Sequence, residues 1–563
     1  MYAPIILFAY NRLDHLDICI RSLKENKPAK ESHLYIFADG PKDHEDENNI
    51  SKVRYYLSNL VGFKKVTIIE RNINYGLAKN IIDGLDYIFA KYKNAIIIED
   101  DLLLSPYFLE YMNYNLDLYE DSNKVASIHG YSYPVINKKD KDFFLRGADC
   151  WGWATWSSKW NKINKSSKSL LQEIKKRKLI KDFDYNNNAK FSRMLKHQIN
   201  GKVDSWAIRW HASMYLENLL TLYPKKSYVY NIGNDNSGTN SNTTEIFDVS
   251  LNFEKPGNNK ILEIEDVEMK FQFEKYFQAL NKKNRYSKFL IRIIKKIIPK
   301  KIKKYIKRYN KDEVNWCEGP YLNWNEAKLN SSGYSDNNIF EKVYNSSKLV
   351  KLKLIPYERD SVLFMKSFYN YSIVNIFNSV GAKKNKLSIL DFGGSLGSSY
   401  YQNLDAIKKS ININWGIVEQ EKFVTIGNKE FSDQNLSFFY NIDDCIKSIC
   451  PNIALFGSSI QYIENSNEIL SLITKSIDIK YLIFDRTPFN SGNKDIIVVQ
   501  HVPKKIYKAD YPMKILSLDK FIKDISQDWE LAEISNGNNE DIIYYKKNKL
   551  KHKNLIFKRK NLV

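Results

Sequence analysis

Two α/β domains joined by a basic helical linker are what this sequence predicts, on three observations. Short apolar runs recur about every thirty residues through the first hundred, with helix-period segments between them. The same alternation resumes beyond residue 316. Between the two, residues 282–311 hold fourteen Lys or Arg and no Asp or Glu. A chain of 563 residues also exceeds what one hydrophobic core supports. The expected layout is an α/β domain over 1–250, the linker over 251–315, a second α/β domain over 316–550 and a basic tail over 551–563.

The first four strands are read at Ile5–Tyr10, Leu34–Ala38, Val66–Glu70 and Ala95–Glu99, each closing on polar residues or glycine. Between the last two, Leu77, Ile81, Ile82, Leu85, Ile88 and Phe89 fall at helical spacing. This alternation implies βαβ units and a parallel sheet. Residues 143–240, rich in Trp, Asn and Gly, read as a loop-heavy substrate region beside that sheet. In the linker, Tyr286, Leu290, Ile293, Ile294 and Ile297 fall on one helical face, opposite Arg285, Lys288, Arg292, Lys295 and Lys296. Pro299 ends that helix, and Ile302, Tyr305, Ile306 and Tyr309 repeat the pattern. Beyond it, Ser388–Leu390, Gly416–Glu419, Leu436–Phe439, Ile453–Phe456, Leu482–Phe484 and Ile496–Val499 read as strands, with Asp541–Tyr545 as the last. The basic residues after Lys546 read as a tail.

Lys and Arg exceed Asp and Glu by 21, which admits nucleic acid, an anionic membrane surface or anionic substrates. Cys19, Cys150, Cys317, Cys445 and Cys450 are scattered without a CxxC pair, so a reduced compartment is expected and a zinc site is not. The N-terminus carries no basic n-region, and its apolar run, Ala3 to Tyr10, is too short for a signal sequence or a span. A cytoplasmic protein is expected, with 282–311 either in peripheral contact with the inner membrane face or forming an interdomain hairpin whose apolar faces pack on the two domains and leave the lysines in water.

The fourth strand runs directly into Glu99, Asp100 and Asp101. Carboxylates at a strand end suit a Mg²⁺ or Mn²⁺ ion that neutralises a sugar-nucleotide diphosphate. By themselves they read equally as an acidic strand terminus or a helix cap ahead of Ser105-Pro106. Their context is more specific. The run from Pro4 to Arg12 resembles the first strand and nucleotide loop of GT-A glycosyltransferases, as do Ala38-Asp39-Gly40 and Asn72–Asn80. The pattern is most similar to family-2-type bacterial transferases and the related N-acetylglucosaminyltransferase I group. It extends through Gly147–Trp156, Val203–Trp206 and Asn231–Asp235, and covers roughly residues 3–242.

That resemblance implies a GT-A (Rossmann-like) fold, a nucleotide-sugar donor such as a UDP-sugar, and a glycan or lipid-linked acceptor. It places Ala9, Tyr10, Asn11, Arg12, Asp39, Gly76, Asn80, Glu99, Asp100 and Trp153 around the donor. Arg12 and Asp39 would contact uridine and ribose or phosphate, Glu99 and Asp100 the ribose and donor sugar, and Asp101 the metal. Asp204 matches the general base of an inverting relative, or is simply a loop or capping carboxylate. Six of the ten tryptophans lie from Trp151 to Trp210, where indoles stack on sugars or fill a core. One departure is Gly238-Thr239-Asn240, where relatives often carry Gly-Thr-His; Asn240 would support metal binding only weakly.

In the second domain Ile389-Leu390 leads into Asp391-Phe392-Gly393-Gly394-Ser395-Leu396-Gly397, and Glu419 ends the next strand. Glycines after a first parallel strand let backbone approach a ligand, and an acid ending the next strand can bind ribose hydroxyls. The G-x-G-x-x-G dinucleotide fingerprint is absent. The spacing is nearer the acid-x-Gly-x-Gly-x-Gly turn of S-adenosylmethionine-dependent methyltransferases, with Ser395 at the central glycine; a plain tight turn is the alternative. The flanks resemble a family of methyltransferases encoded with bacterial surface-polysaccharide genes. Matching stretches include Gly319-Pro320-Tyr321, Glu358-Arg359-Asp360-Ser361, Trp415–Gln420, Gly457–Tyr462, Asp485–Phe489 and Val499–Pro503, across roughly 316–515.

This second resemblance implies a class I methyltransferase-type doubly wound α/β domain using S-adenosylmethionine. Asp391, Gly393, Gly394 and Gly397 would flank the methionine part, and Glu419 would bind ribose. His501 reads as a base for O-methylation or as a structural histidine. The combined expectation is a bifunctional transferase of capsule or lipopolysaccharide biosynthesis. The competing readings are a nucleic-acid-binding or RNA-modifying methyltransferase, and a chain with one active half and one scaffold half. Nucleic acid is not expected as a partner, because the charge concentrates in linker and tail and no RNA-binding signature appears.

Overall fold

Ile5–Ala9 (β1) is buried along its whole length because its sheet is covered on both faces. Ile5 and Leu7 pack with Leu16, Cys19, Ile20 and Leu23 of α1 (Leu13–Lys24) on one side. Ile6 and Phe8 point the other way, toward Ala78, Ile81 and Leu85 of the helix Leu77–Phe89. This half also includes β2 (His33–Ala38), α2 (His44–Ser58), β3 (Lys65–Glu70), α3 (Leu77–Phe89), β4 (Asn94–Glu99), β5 (Leu102–Leu104), β6 (Val125–His129), β7 (Phe143–Arg146), β8 (Trp153–Trp156), β9 (Leu220–Tyr223) and β10 (Val229–Asn231), with further helices between β5 and β9. Eight of these strands form one sheet in the order β3-β2-β1-β4-β8-β6-β9-β7, while β5 pairs with β10. The first four run parallel in register, with Ala9 opposite Ala38 and Phe8 opposite Glu99. The segments after β1, β2 and β4 therefore leave the sheet at one edge.

The computed structural model describes residues 2–234, 246–257, 260–281, 314–333, 337–503, 506, 509–537, 542–546 and 548–560. The basic 282–311 segment, Asp235 and Gly238–Asn240 lie outside the described residues. The chain divides into two compact units, Met1–Ile298 and Pro299–Val563. The first unit extends past the expected boundary at 250. A helix at 267–281 buries Met269 and Phe273 against Phe143, Tyr185 and Tyr223, so residues up to 281 are part of that unit rather than linker. Among the described residues no helix is long and apolar enough to cross a membrane.

The second unit comprises β11 (Asn315–Tyr321), β12 (Tyr357–Arg359), β13 (Val362–Phe364), β14 (Lys386–Phe392), β15 (Asn412–Val418), β16 (Leu436–Phe439), β17 (Ile453–Gly457), β18 (Tyr481–Asn490), β19 (Ile496–Val502), β20 (Ala509–Ser517), β21 (Trp529–Asn536), β22 (Ile542–Tyr545) and β23 (Asn548–Arg559), with helices between them. Strands β16-β15-β14-β17-β18 are parallel, and their order reverses around β14. That is the doubly wound arrangement, whose ligand crevice opens at the carboxyl ends beside the switch point. The expected tail is instead β23, which runs antiparallel to β18 and β21 and buries Leu555, Ile556 and Phe557. Asp541–Tyr545 is accordingly not the last strand. The far half of β18 pairs with β20, and β20-β19-β11-β22 continues as a second wall.

Candidate functional site

In the first unit, Arg12 follows β1 and reaches the acids after β4. Its Nη2 donates to Asp100 Oδ1 at 2.8 Å and to Asp101 Oδ2 at 2.9 Å. Tyr10 N–H donates to Asp100 Oδ2 at 3.1 Å. Arg12 Nη1 is buried and finds no hydrogen-bond partner among the described residues. The acids outnumber the cation. Burial first, then Asp101 and Asp100, push the Glu99 carboxyl up to about 8. Burial also raises Asp100, against the opposing pull of Arg12. The site thus carries a buried donor and an excess of carboxylates, a combination that takes an anion and a cation together.

Asp39, at the end of β2, accepts N–H bonds from Gly40, Tyr75 and Gly76 at 2.9, 2.8 and 3.0 Å. It fixes the loop entering α3. Gly76 precedes that helix at φ +73°, a conformation that favours glycine. Asn80 is buried, accepting from Arg71 Nε and donating to the Phe37 carbonyl. Ile232 N–H donates to the Asp101 carbonyl at 2.9 Å. A Cβ on Gly233 would strike the Asp101 carboxylate, so this loop closes tightly over the acid. Sequence reasoning misses Asp46. It accepts from the Tyr10 hydroxyl and, at 2.7 Å, from Asn11 Nδ2, and so orients the loop after β1. Its only sequence signal is its place in the acidic first turn of α2, capped by Asp43.

Trp153 departs from its expected place, and Asp204 lies on the lead into a helix. Trp153 is fully buried, with its ring stacked on Trp206 and packed against Trp160 and Trp210, so it is core and has no face for a sugar. Its position on β8 between two paired strands forces that burial. Asp204 is exposed just ahead of the helix Trp206–Leu216, which Ser205 caps. It accepts from Gln198 at 3.1 Å and pairs with Arg209 at 3.4 Å. Among the described residues no group of three or more His, Cys, Asp or Glu forms a metal cage.

In the second unit a cavity of about 960 Å³ opens at the carboxyl ends of β14, β15 and β17. Gly393, Gly394 and Ser395 form its floor, Glu419 lies at the end of β15, and Ser458 and Ser459 follow β17. Gly393 has φ +72°, and a Cβ there would come within 2.6 Å of the Ser459 Cβ, so the turn requires glycine. Burial raises the Glu419 carboxyl. Ser395 Oγ is buried in the wall without a hydrogen-bond partner among the described residues. Open space, glycine backbone and an orphaned hydroxyl fit a bound cofactor.

Asp391 does not line this cavity. It is fully buried and accepts from Trp415 Nε1 at 3.0 Å, and burial pushes it up to about 7. It supports the turn from beneath, since a Cβ on Gly394 would strike its carboxylate. Gly397 starts the following helix at φ +103° and is likewise outside the lining. His501 is also elsewhere. On β19, Gln500 and Val502 face the cavity, so strand alternation turns His501 to the opposite side. There it stacks on Trp316 at 4.0 Å between centroids and contacts Glu318 at 3.1 Å.

Residues 5–181 match the family model described as glycosyl transferase family 2. No curated protein matches the chain. Similar solved structures include LepI in complex with SAM (12% identity, 37% of this chain, 51% of that one, TM-score 0.25). Others are YcgJ from Bacillus subtilis (8%, 34% and 100%, 0.22) and a mutant of MtNAS in complex with S-adenosylmethionine (10%, 39% and 72%, 0.23). The chain spans about half the length of the first of these. Likenesses at such scores do not bear on function.

Proposed function

We propose that the chain is a two-site transferase. The first unit moves a sugar from a nucleotide-sugar donor to a glycan or lipid-linked acceptor. The second transfers a methyl group from S-adenosylmethionine to a glycan-related acceptor. Bacterial surface-glycan assembly, of capsule or lipopolysaccharide, is the setting the sequence resemblances support.

The observation that carries the first reading is the half-buried Arg12 beside Asp100 and Asp101, within the segment matching glycosyl transferase family 2. Its unpartnered Nη1 suits a donor phosphate oxygen. Asp101, with Asp100, would hold a Mg²⁺ or Mn²⁺ ion, the diphosphate and water completing its oxygen shell. Such an ion would offset charge on the departing diphosphate. In transfer, the acceptor oxygen bonds to the anomeric carbon and the bond to the diphosphate oxygen breaks. The nucleoside diphosphate leaves with that electron pair. Asp204, exposed ahead of its helix, would take the acceptor proton if the reaction inverts.

The second reading rests on the glycine turn, Glu419 and the orphaned Ser395 hydroxyl around one cavity. S-adenosylmethionine would supply an electrophilic methyl group there. Glu419 would receive the ribose hydroxyls, and the backbone of Gly393 and Gly394 would allow close approach. The basic 282–311 segment would hold the enzyme on an anionic membrane face. The full chain should then pellet with anionic but not neutral vesicles. Equal pelleting of a Lys295/Lys296/Lys300/Lys301→Glu variant would exclude that anchor.

A nucleotide-sugar panel with Mn²⁺, read as donor hydrolysis, tests the first activity. Turnover by the wild type and its loss in Asp101→Ala support it. Full turnover in Asp101→Ala at saturating Mn²⁺ contradicts the assignment.

A further inference from the structure

The cavity at the carboxyl ends of β14, β15 and β17 has a second wall. Glu419, after β15, and Gln500, on β19, are separated in the sheet by β14, β17, β18 and β20, yet both line the cavity. The bend that brings them together lies in β18. Its first half pairs with β17, its end pairs with β20, and its register against β23 shifts between Phe484 and Thr487. At about 960 Å³ the space is at the upper end for one small-molecule ligand. The glycine turn and Glu419 account for a cofactor, and the wall from β11, β19 and β20 is left for the acceptor.

That wall is made of neutral polar groups tied in a chain. The Tyr462 hydroxyl, in the turn after β17, donates to Gln500 Oε1 at 2.8 Å, and Gln500 Nε2 donates to Asn315 Oδ1 at 3.2 Å. All three residues line the cavity. Gln500 is only 4% exposed, so these bonds fix which way its carboxamide points. The Tyr462 ring stands edge-on to Tyr511, 5.2 Å between centroids. Burial first, then the Asp360 carboxylate, raise the Tyr462 hydroxyl, which keeps its proton at neutral pH. Each carboxamide has two N–H donors, and the chain spends one of them, on Gln500. The others are available to a ligand.

Trp324 adds an aromatic surface to the same lining. It opens the short helix Trp324–Leu329, which Asn323 caps by accepting from Glu326 N–H at 2.9 Å. Lys514 Nζ lies 5.8 Å from the indole centroid and donates to the Glu464 carbonyl, two residues after Tyr462. The indole is therefore held beside the Tyr462 turn. Among the described residues of β11, β19, β20 and 324–333 that line the cavity, Lys328 alone is charged, and it is exposed. Elsewhere in the lining, Arg359 and Arg486 are matched by Glu358 and Asp360 and by Asp485, which accepts from Arg486 Nε at 3.0 Å.

We infer that this wall binds a neutral saccharide as the methyl acceptor. A pyranose ring presents apolar C–H faces and hydroxyl edges. An indole suits the first, and carboxamides with fixed orientation suit the second. The Asp360 carboxylate near Tyr462 disfavours a second anion there. The inference rests on reading this cavity as a methyl-transfer site, and it names the class of acceptor.

The test uses the full chain and titration calorimetry. S-adenosylhomocysteine is titrated first. Methyl α-glucoside, methyl α-galactoside, methyl α-mannoside, glucuronic acid and glucose 1-phosphate are then titrated separately. At least one neutral glycoside should bind tenfold or more tighter than either anion. Gln500→Leu and Trp324→Leu should each weaken that binding at least tenfold, whereas Trp324→Phe, which keeps an aromatic face, should weaken it less than threefold. S-adenosylhomocysteine affinity should change less than twofold in all three. Circular dichroism certifies the fold of each variant, and if Gln500→Leu fails to fold the Trp324 pair decides. Absence of glycoside binding, tighter binding of an anion, or full glycoside affinity in the folded Leu variants overturns the proposal. So does loss of S-adenosylhomocysteine in those variants, because the wall would then serve the cofactor. A wild type that binds S-adenosylhomocysteine but no glycoside refutes the acceptor assignment alone. One that binds a glycoside through this wall but not S-adenosylhomocysteine supports the saccharide site and refutes the methyl-transfer reading.

Discussion

Replacing Arg12 with methionine keeps most of its volume and removes the cation bonded to both Asp100 and Asp101. Arg12 is 18% exposed and Asp100 only 7%, so the pair is largely desolvated. Breaking such a pair by removing one partner costs about 3–5 kcal/mol, because a buried charge is left uncompensated. The loss should depend on pH, and its sign follows from the carboxylates. Glu99 already titrates near 8, and Asp100 is raised despite Arg12. Without the guanidinium both rise further. The folded variant then binds more protons than the unfolded chain, whose carboxylates titrate near 4, so its stability falls as pH increases. The deficit against wild type should be roughly 4 kcal/mol at pH 8 and about 1 kcal/mol at pH 5, where protonation relieves the crowding. Urea unfolding at both values measures it. Fluorescence of the buried Trp153, Trp160, Trp206 and Trp210 cluster reports on this unit. A deficit equal at both pH values, or none at pH 8, would refute the electrostatic account.

Trp153→Ala should destabilise the first unit by about 3–5 kcal/mol, the cost of an emptied aromatic site, leaving donor affinity of the folded fraction unchanged; weaker donor binding without lost stability would return Trp153 to the sugar site. Truncation before Asn548 should leave the second unit unfolded, since β23 supplies Leu555, Ile556 and Phe557 to its core; protease resistance equal to the full chain would contradict this. His501→Ala should leave both S-adenosylhomocysteine affinity and the pH profile of methyl transfer unaltered, and loss of a titrating limb would restore it as the base.

The parallel strands were legible because continuous apolar runs report burial on both faces: β1, β2, β4, β14, β15 and β17 all lie where the apolar runs fall. So were the acids and glycines at their ends, because a parallel sheet brings those ends to one edge. What the sequence hid was orientation. Trp153 carries the same indole whether it meets a sugar or three other indoles. His501 and Gln500 differ by one residue, and only the register of β19 decides which faces the cavity. Asp391 ends a strand as a ligand residue would, yet Trp415 on the neighbouring strand draws it inward. β23 was hidden by its lysines, which mask the apolar stretch Leu555–Phe557.

We propose two separable sites in one chain. Titration calorimetry of UDP with Mn²⁺, and of S-adenosylhomocysteine, against wild type, Asp101→Asn and Glu419→Gln tests that claim most directly. The wild type should bind both ligands. Asp101→Asn should lose UDP at least tenfold and keep S-adenosylhomocysteine, and Glu419→Gln should do the reverse. A wild type that binds neither ligand, or a folded variant that loses both together, would contradict the claim.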